Sequence, residues 1–142
     1  MRNLSKTIRC HILWGISTLF SFYLVFVLNE FVVLLMEAVG WNKHTINVID
    51  KFFVLVIGVF TVAFFLYIQH AYQHKAWFLF FLVSSIQILV YGLVAFGQQV
   101  LLNQYLPVLQ IYDYVFLILS LGLSGLLAYL YIYFKNKQKI IT

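Results

Sequence analysis

Residues 52–68 read FFVLVIGVFTVAFFLYI, without a charge or a proline, between Lys51 on one side and Gln69-His70 on the other. Crossing a hydrocarbon core takes about 20 apolar residues in helical form. Lipid offers no partner to an exposed N–H or C=O, so only helices and closed barrels span it, and this run lacks the alternation of a barrel strand. It reads as a membrane-spanning helix. Similar stretches lie on either side, giving spans at about 12–35, 52–70, 77–97 and 114–134. With 64% hydrophobic and 9% charged residues, the chain is expected to be an all-α membrane protein. Its expected form is a four-transmembrane-helix bundle, residues 1–142 making a single integral membrane domain.

Arg2, Lys6 and Arg9 precede the first span in the manner of a secretory signal. A cleaved signal, however, has an apolar region of only about 7–15 residues that ends at a small-residue site. Here the run continues through Phe22, Tyr23, Leu24, Val25 and Phe26 to Asn29, so a retained first helix is expected. Lys and Arg near span ends stay on the cytoplasmic side. Lys75 lies between the second and third spans and Lys135, Lys137 and Lys139 follow the fourth, while only Lys43 and Lys51 fall in the other connections. Both N and C termini are therefore expected in the cytoplasm. All four acids, Glu30, Glu37, Asp50 and Asp113, then lie on or near the outer face. The net charge of +5 has its natural partner in the anionic inner leaflet of the lipid bilayer, where each nearby base adds about 1 kcal/mol of attraction. No nucleic acid is needed to explain it. Cys10 is the single cysteine, which excludes an internal disulfide or dithiol chemistry.

The connection at about 36–51 holds Gly40, Trp41 and the polar run Asn42, Lys43, His44, Thr45. The one at about 98–113 sets Leu101, Leu102, Tyr105 and Leu106 on one helical face and Gln99 and Asn103 on another, ending near Pro107. That pattern predicts a short outer amphipathic helix before the fourth span. Small residues mark where helices approach closely in lipid. In the fourth span Ser120, Ser124 and Ala128 recur every four residues, with Gly122 and Gly125 beside them. This stripe is expected to pack against another helix of the same chain or against a second copy. Tyr129, Tyr131 and Tyr133 before Lys135 resemble an inner-interface aromatic belt.

Polar residues inside spans are where function concentrates, because a charge at mid-bilayer costs at least about 2.5–3.5 kcal/mol. If the hydrocarbon begins after Trp14, Glu30 lies about 24 Å in at 1.5 Å per residue. Tyr23, Glu30 and Glu37 are seven apart and share a face, and Lys51 and Asp113 are expected at the same depth. Three readings follow: an outer salt-bridge cluster that fixes helix ends, a titrating carboxylate that exchanges a proton or holds a cation, or a Glu30 that reaches the headgroups. Gln87 sits near the midpoint of the third span, with Ser84 one turn before and Tyr91 one turn after, Ala95 and Gln98 continuing the face. A lone Gln in lipid leaves hydrogen-bonding groups unmet, so this ridge must face the interior or another subunit, as interhelical glue or as the wall of a polar path.

His70 and His74 stand four apart at the end of the second span, with Cys10 and His11 at a similar depth. Four such ligands can in principle form a tetrahedral metal site, or His11 with one of the other two can hold haem. Interfacial anchoring of the imidazoles is the competing reading, and no cofactor is expected. The chain shows no catalytic motif, which sets an intramembrane enzyme last. A non-enzymatic accessory or interaction subunit comes first, with another membrane protein or a homo-oligomer as partner, and a small oligomeric carrier or channel second. Abundant Ile, Phe, Tyr, Asn and Lys with few Ala and Gly suggest an AT-rich bacterial genome and a multi-pass protein of the cell membrane.

Overall fold

The computed structural model describes residues 2–74, 77–103 and 110–141. Four helices account for nearly all of them: α1 (Arg2–Ala38), α2 (Lys43–His74), α3 (Leu79–Asn103) and α4 (Ile111–Ile141). Each is long and apolar enough to cross a membrane. At 1.5 Å per residue even α3, the shortest at 25 residues, runs about 38 Å, more than a hydrocarbon core of about 30 Å. The protein is a transmembrane helix bundle.

The turn between α1 and α2 is tighter than the sequence suggested. Gly40 adopts a left-handed conformation with φ of 80°. Its N–H reaches the Glu37 carbonyl at 2.9 Å and the Trp41 N–H reaches the Met36 carbonyl at 3.1 Å, the two bonds of a Schellman stop. Asn42 then opens α2, its Oδ1 accepting the His44 N–H at 3.1 Å. Polar residues between Lys43 and Lys51, expected to lie in a connection, are the first turns of α2. Asn42 caps the helix, and the polar character of the residues after it does not interrupt it. At the start of α4, Asp113 Oδ2 accepts the Gln110 N–H at 2.8 Å while the Asp113 N–H returns to the Gln110 carbonyl. This carboxylate caps a helix, at the end where the helix dipole favours negative charge.

The expected outer amphipathic helix is corrected in its first half. Residues 98–103 continue α3 without a break to Asn103. The reason is packing: Gln98 Nε2 donates to the Val27 carbonyl of α1 at 3.1 Å, so the segment is held inside the bundle. Tyr105, Leu106 and Pro107 lie outside the described residues.

The helices alternate in direction and pack in the order α2, α1, α3, α4. α1 lies between α2 and α3, and α3 between α1 and α4. α2 and α3 touch only briefly, and α2 and α4 do not meet among the described residues. α3 thus carries two stripes. Gln87, Tyr91 and Gln98 face α1, whereas Ser85, Gly92 and Phe96 face α4. Each stripe follows the three-four spacing of one helical face. A Cβ at Gly92 would collide with Ser120 Oγ and stand 2.6 Å from Ser120 Cβ, so only glycine allows this approach. Lipid solvates apolar side chains as well as a protein core does, and close backbone approach and polar bonds hold helices together instead. Among the described residues, the buried Ser17, Ser21, Ser85, Gln87 and Ser124 make such bonds between helices, and the buried Ser120 marks the close approach to Gly92.

Candidate functional site

Gln87 is the polar side chain that ties α3 to α1 in the membrane-spanning region. Its Nε2 donates to the Ser17 carbonyl at 3.0 Å and to Ser21 Oγ, so both amide hydrogens go to α1. Ser17 Oγ shares a 3.0 Å hydrogen bond with the Tyr72 hydroxyl from α2. Three helices are therefore tied through one residue of α1. Tyr72 is 1% exposed and its carbonyl accepts the Cys10 thiol at 3.3 Å. Around it Cys10 and Ile68 form a small core packed by Leu13, Trp14, Trp77 and Phe80. Trp14 Nε1 adds a bond to the Phe65 carbonyl at 3.1 Å, a group already within the α2 helix ladder. Sequence reasoning selected Gln87 and missed Ser17, Ser21 and Tyr72. The four-residue step from Ser17 to Ser21 on α1 was the available signal, equal in form to the one on α4.

Tyr91 lies one turn from Gln87 among aromatic rings, with centroids 6.1 Å from Phe20, 5.8 Å from Tyr23 and 5.7 Å from Phe116. Beside this network a cleft of about 280 Å³ opens between α2 and α3 over a floor of α1. Ser21, Thr61 and Gln87 are its polar lining, amid Leu24, Phe60 and Ile86. Thr61 gives its hydroxyl proton to the Ile57 carbonyl at 2.7 Å. The arrangement suits hydrogen-bonded anchoring of helices, and it contains no nucleophile paired with a base.

The carboxylates are not gathered. Glu30, Glu37 and Lys51 are exposed, and among the described residues none of them forms an ion pair, nor does Asp113, which caps α4. Glu30 and Glu37 lie on the outward face of α1, whereas the Tyr23 ring, though partly exposed, packs against Tyr91 of α3 at 5.8 Å. The acid turned toward another helix is Asp50, about 10 Å into α2 from Lys43. Its Oδ1 accepts Asn29 Nδ2 of α1 at 2.8 Å. Asn29 Oδ1 and, on α3, Gln99 Oε1 are buried without a hydrogen-bond partner among the described residues.

At the other end of the bundle the four expected metal ligands are differently disposed. Cys10 points inward to the Tyr72 carbonyl. His11 is exposed, and its ring N–H, when on Nδ1, donates to the Thr7 carbonyl at 2.8 Å. His70 is exposed, and the side chain of His74 lies outside the described residues. Among the described residues no three His, Cys, Asp or Glu side chains stand close enough to share a metal ion.

On α4, Ser120 and Ser124 are buried against α3, with Ala128 half-buried below them. Gly122 and Gly125 point away, with open space where a Cβ would stand. Tyr129 and Tyr133 are exposed, and Tyr131 turns to Phe78 at 5.8 Å while Lys135 Nζ sits 5.6 Å from its centroid. No family model, curated protein or solved structure matches the chain.

Proposed function

We propose that the chain is a non-enzymatic accessory or interaction subunit of a larger system in the cell membrane, with both termini on the cytoplasmic side. The observation that carries this reading is the division of α4. Its serines are turned inward to α3, while Gly122 and Gly125 face outward with nothing over them, on the same side as the exposed Ile118 and Tyr129. Glycines open to lipid let a further helix approach closely. The mid-membrane polar groups support the same reading, since Gln87, Ser17 and Ser21 are taken up in hydrogen bonds between helices. The charge bias of the sequence supports the orientation.

The test is a mild-detergent pull-down of the tagged chain from its native membrane, with stoichiometry by native mass spectrometry. One partner at fixed ratio is expected, lost in Gly122→Leu and Gly125→Leu variants that remain monodisperse. A homogeneous homo-oligomer without a partner overturns it.

The second reading is a small oligomeric carrier that uses a membrane-embedded carboxylate. The half-buried Asp50, engaged with Asn29 between α1 and α2, favours it. Flux through proteoliposomes that disappears in Asp50→Asn would establish this alternative, and equal flux in the two proteins would remove it.

A further inference from the structure

Asn29 and Asp50 present an unbalanced pair of polar groups. Asn29 spends its amide on Asp50 Oδ1 at 2.8 Å, and its own Oδ1 is buried without a donor among the described residues. Exchanging the amide N and O does not repair this, because the exchange turns an oxygen toward the carboxylate and buries the NH₂ group in the other position. Asp50, half-buried, forms no ion pair among the described residues. Lys51, the next residue, is turned out to the exposed face, as is Glu30 beside Asn29. What the pair lacks is therefore positive charge at the acceptor side.

We infer that Asn29 and Asp50 form a binding site for a small, hard monovalent cation of the sodium class, held between α1 and α2. The ligands are oxygens only, which selects hard cations over zinc, copper or iron. One carboxylate balances one positive charge, and a divalent ion ordinarily draws on more. The unpartnered oxygen is buried, with no donor to it among the described residues. A dehydrated sodium-class ion is smaller than a lipid ammonium or a lysine side chain from a partner helix, and so asks the least rearrangement of the two helices. Asn29 lies about 13 Å from the end of α1 and Asp50 about 10 Å from the start of α2. Asp50 is only half-buried, so water can complete the coordination shell from its side. A water molecule alone would satisfy the amide oxygen and leave the carboxylate charge uncompensated. Gln99 Oε1 is also unpartnered, but no carboxylate is bonded to that side chain, and it has no comparable claim to an ion.

The experiment is thermal unfolding of the purified full chain, followed by tryptophan fluorescence, in sodium chloride against choline chloride at constant ionic strength. Radioactive sodium binding to the same samples supplies the second readout. Ligand that binds only the folded state raises the melting temperature with concentration. A saturable rise with sodium and none with choline is expected. Asn29→Leu should weaken sodium binding by about tenfold or more, the range seen when even outer-shell partners of a metal are lost. Asn29→Asp, which keeps an oxygen at this position, should retain it, and Asp50→Asn should abolish it. If Asp50→Asn fails to fold, the two Asn29 variants still decide. Identical melting curves in the two salts, or sodium binding unchanged in Asn29→Leu, would overturn the site and leave the accessory reading untouched.

Discussion

Ser85 on α3 and Ser124 on α4 hold each other by the backbone. Ser85 Oγ donates to the Ser124 carbonyl at 2.8 Å and Ser124 Oγ donates to the Ser85 carbonyl at 3.0 Å, with the two hydroxyls 3.1 Å apart. Each bond needs the side chain of one residue and only the main chain of the other. Ser85→Ala and Ser124→Ala should therefore each cost about 0.6 kcal/mol, the average for such bonds in a membrane protein. The double variant should depart from the sum, since the two hydroxyls are also in hydrogen-bond contact with each other and each substitution alters the surroundings of the remaining bond. Reversible unfolding in mixed micelles, arranged as a double-mutant cycle, measures this.

The approach of Gly92 to Ser120 makes a steeper demand. Gly92→Ala places a methyl group against a side-chain carbon 2.6 Å away on a packed helix. The loss should be about 1–3 kcal/mol, as for overpacking elsewhere. Ser120→Gly in the same chain should restore most of it. Gly122→Ala and Gly125→Ala meet no atom within 4 Å, and should leave the stability of the isolated chain unchanged or slightly raised. Unfolding midpoints of the three single variants and the Gly92/Ser120 pair form one comparison.

Tyr72 is buried to 1% exposure with its hydroxyl on Ser17. Tyr72→Phe keeps the ring and removes the bond, at a cost of about 1 kcal/mol. Cys10 is 3% exposed beneath it, so a maleimide should label the thiol slowly in the folded protein. Tyr72→Ala opens the cover and should speed labelling severalfold. The rate of label uptake, followed by mass, checks both parts.

Asp113 acts at the first turn of α4 through Gln110. Asp113→Ala should cost about 0.5–2 kcal/mol, the range for losing a capping side chain. Asp113→Asn keeps an oxygen acceptor and should lose less. A carrier role for Asp113 would show the reverse pattern in a flux assay, with Asn as inactive as Ala, because charge and not hydrogen bonding would then matter.

Much of the architecture was legible from apolar length alone. Four uncharged runs of about 20 residues have few other homes than a bilayer. Gln87 was legible as an interior residue because a primary amide in lipid has so few acceptable surroundings. Its partners were not, because a helical Ser can return its proton to its own backbone, as Ser120 does to the Leu117 carbonyl at 2.8 Å, and so carries no obligation to face inward. The start of α2 was hidden for a different reason. Asp50 and Lys51 read as the polar edge of a span, yet a helix turns neighbouring residues about 100° apart. Asp50 faces α1 and Lys51 faces outward, and the embedded acid is hidden behind its exposed neighbour. Gly40 was visible as a break, while the two hydrogen bonds that make it a stop are main-chain events that side chains do not report.

The order α2, α1, α3, α4 divides the molecule into two hairpins of consecutive helices. They are joined mainly along the seam where α3 lies against α1, with a brief α2–α3 contact at Tyr72 and Phe80. Gln87, Tyr91 and Gln98 are the rungs of that seam. Residues 1–74 and 77–142, made as separate polypeptides in one membrane, should therefore find each other and reassemble, and the strength of their pairing should follow the rungs and be indifferent to the Ser85–Ser124 contact inside the second piece.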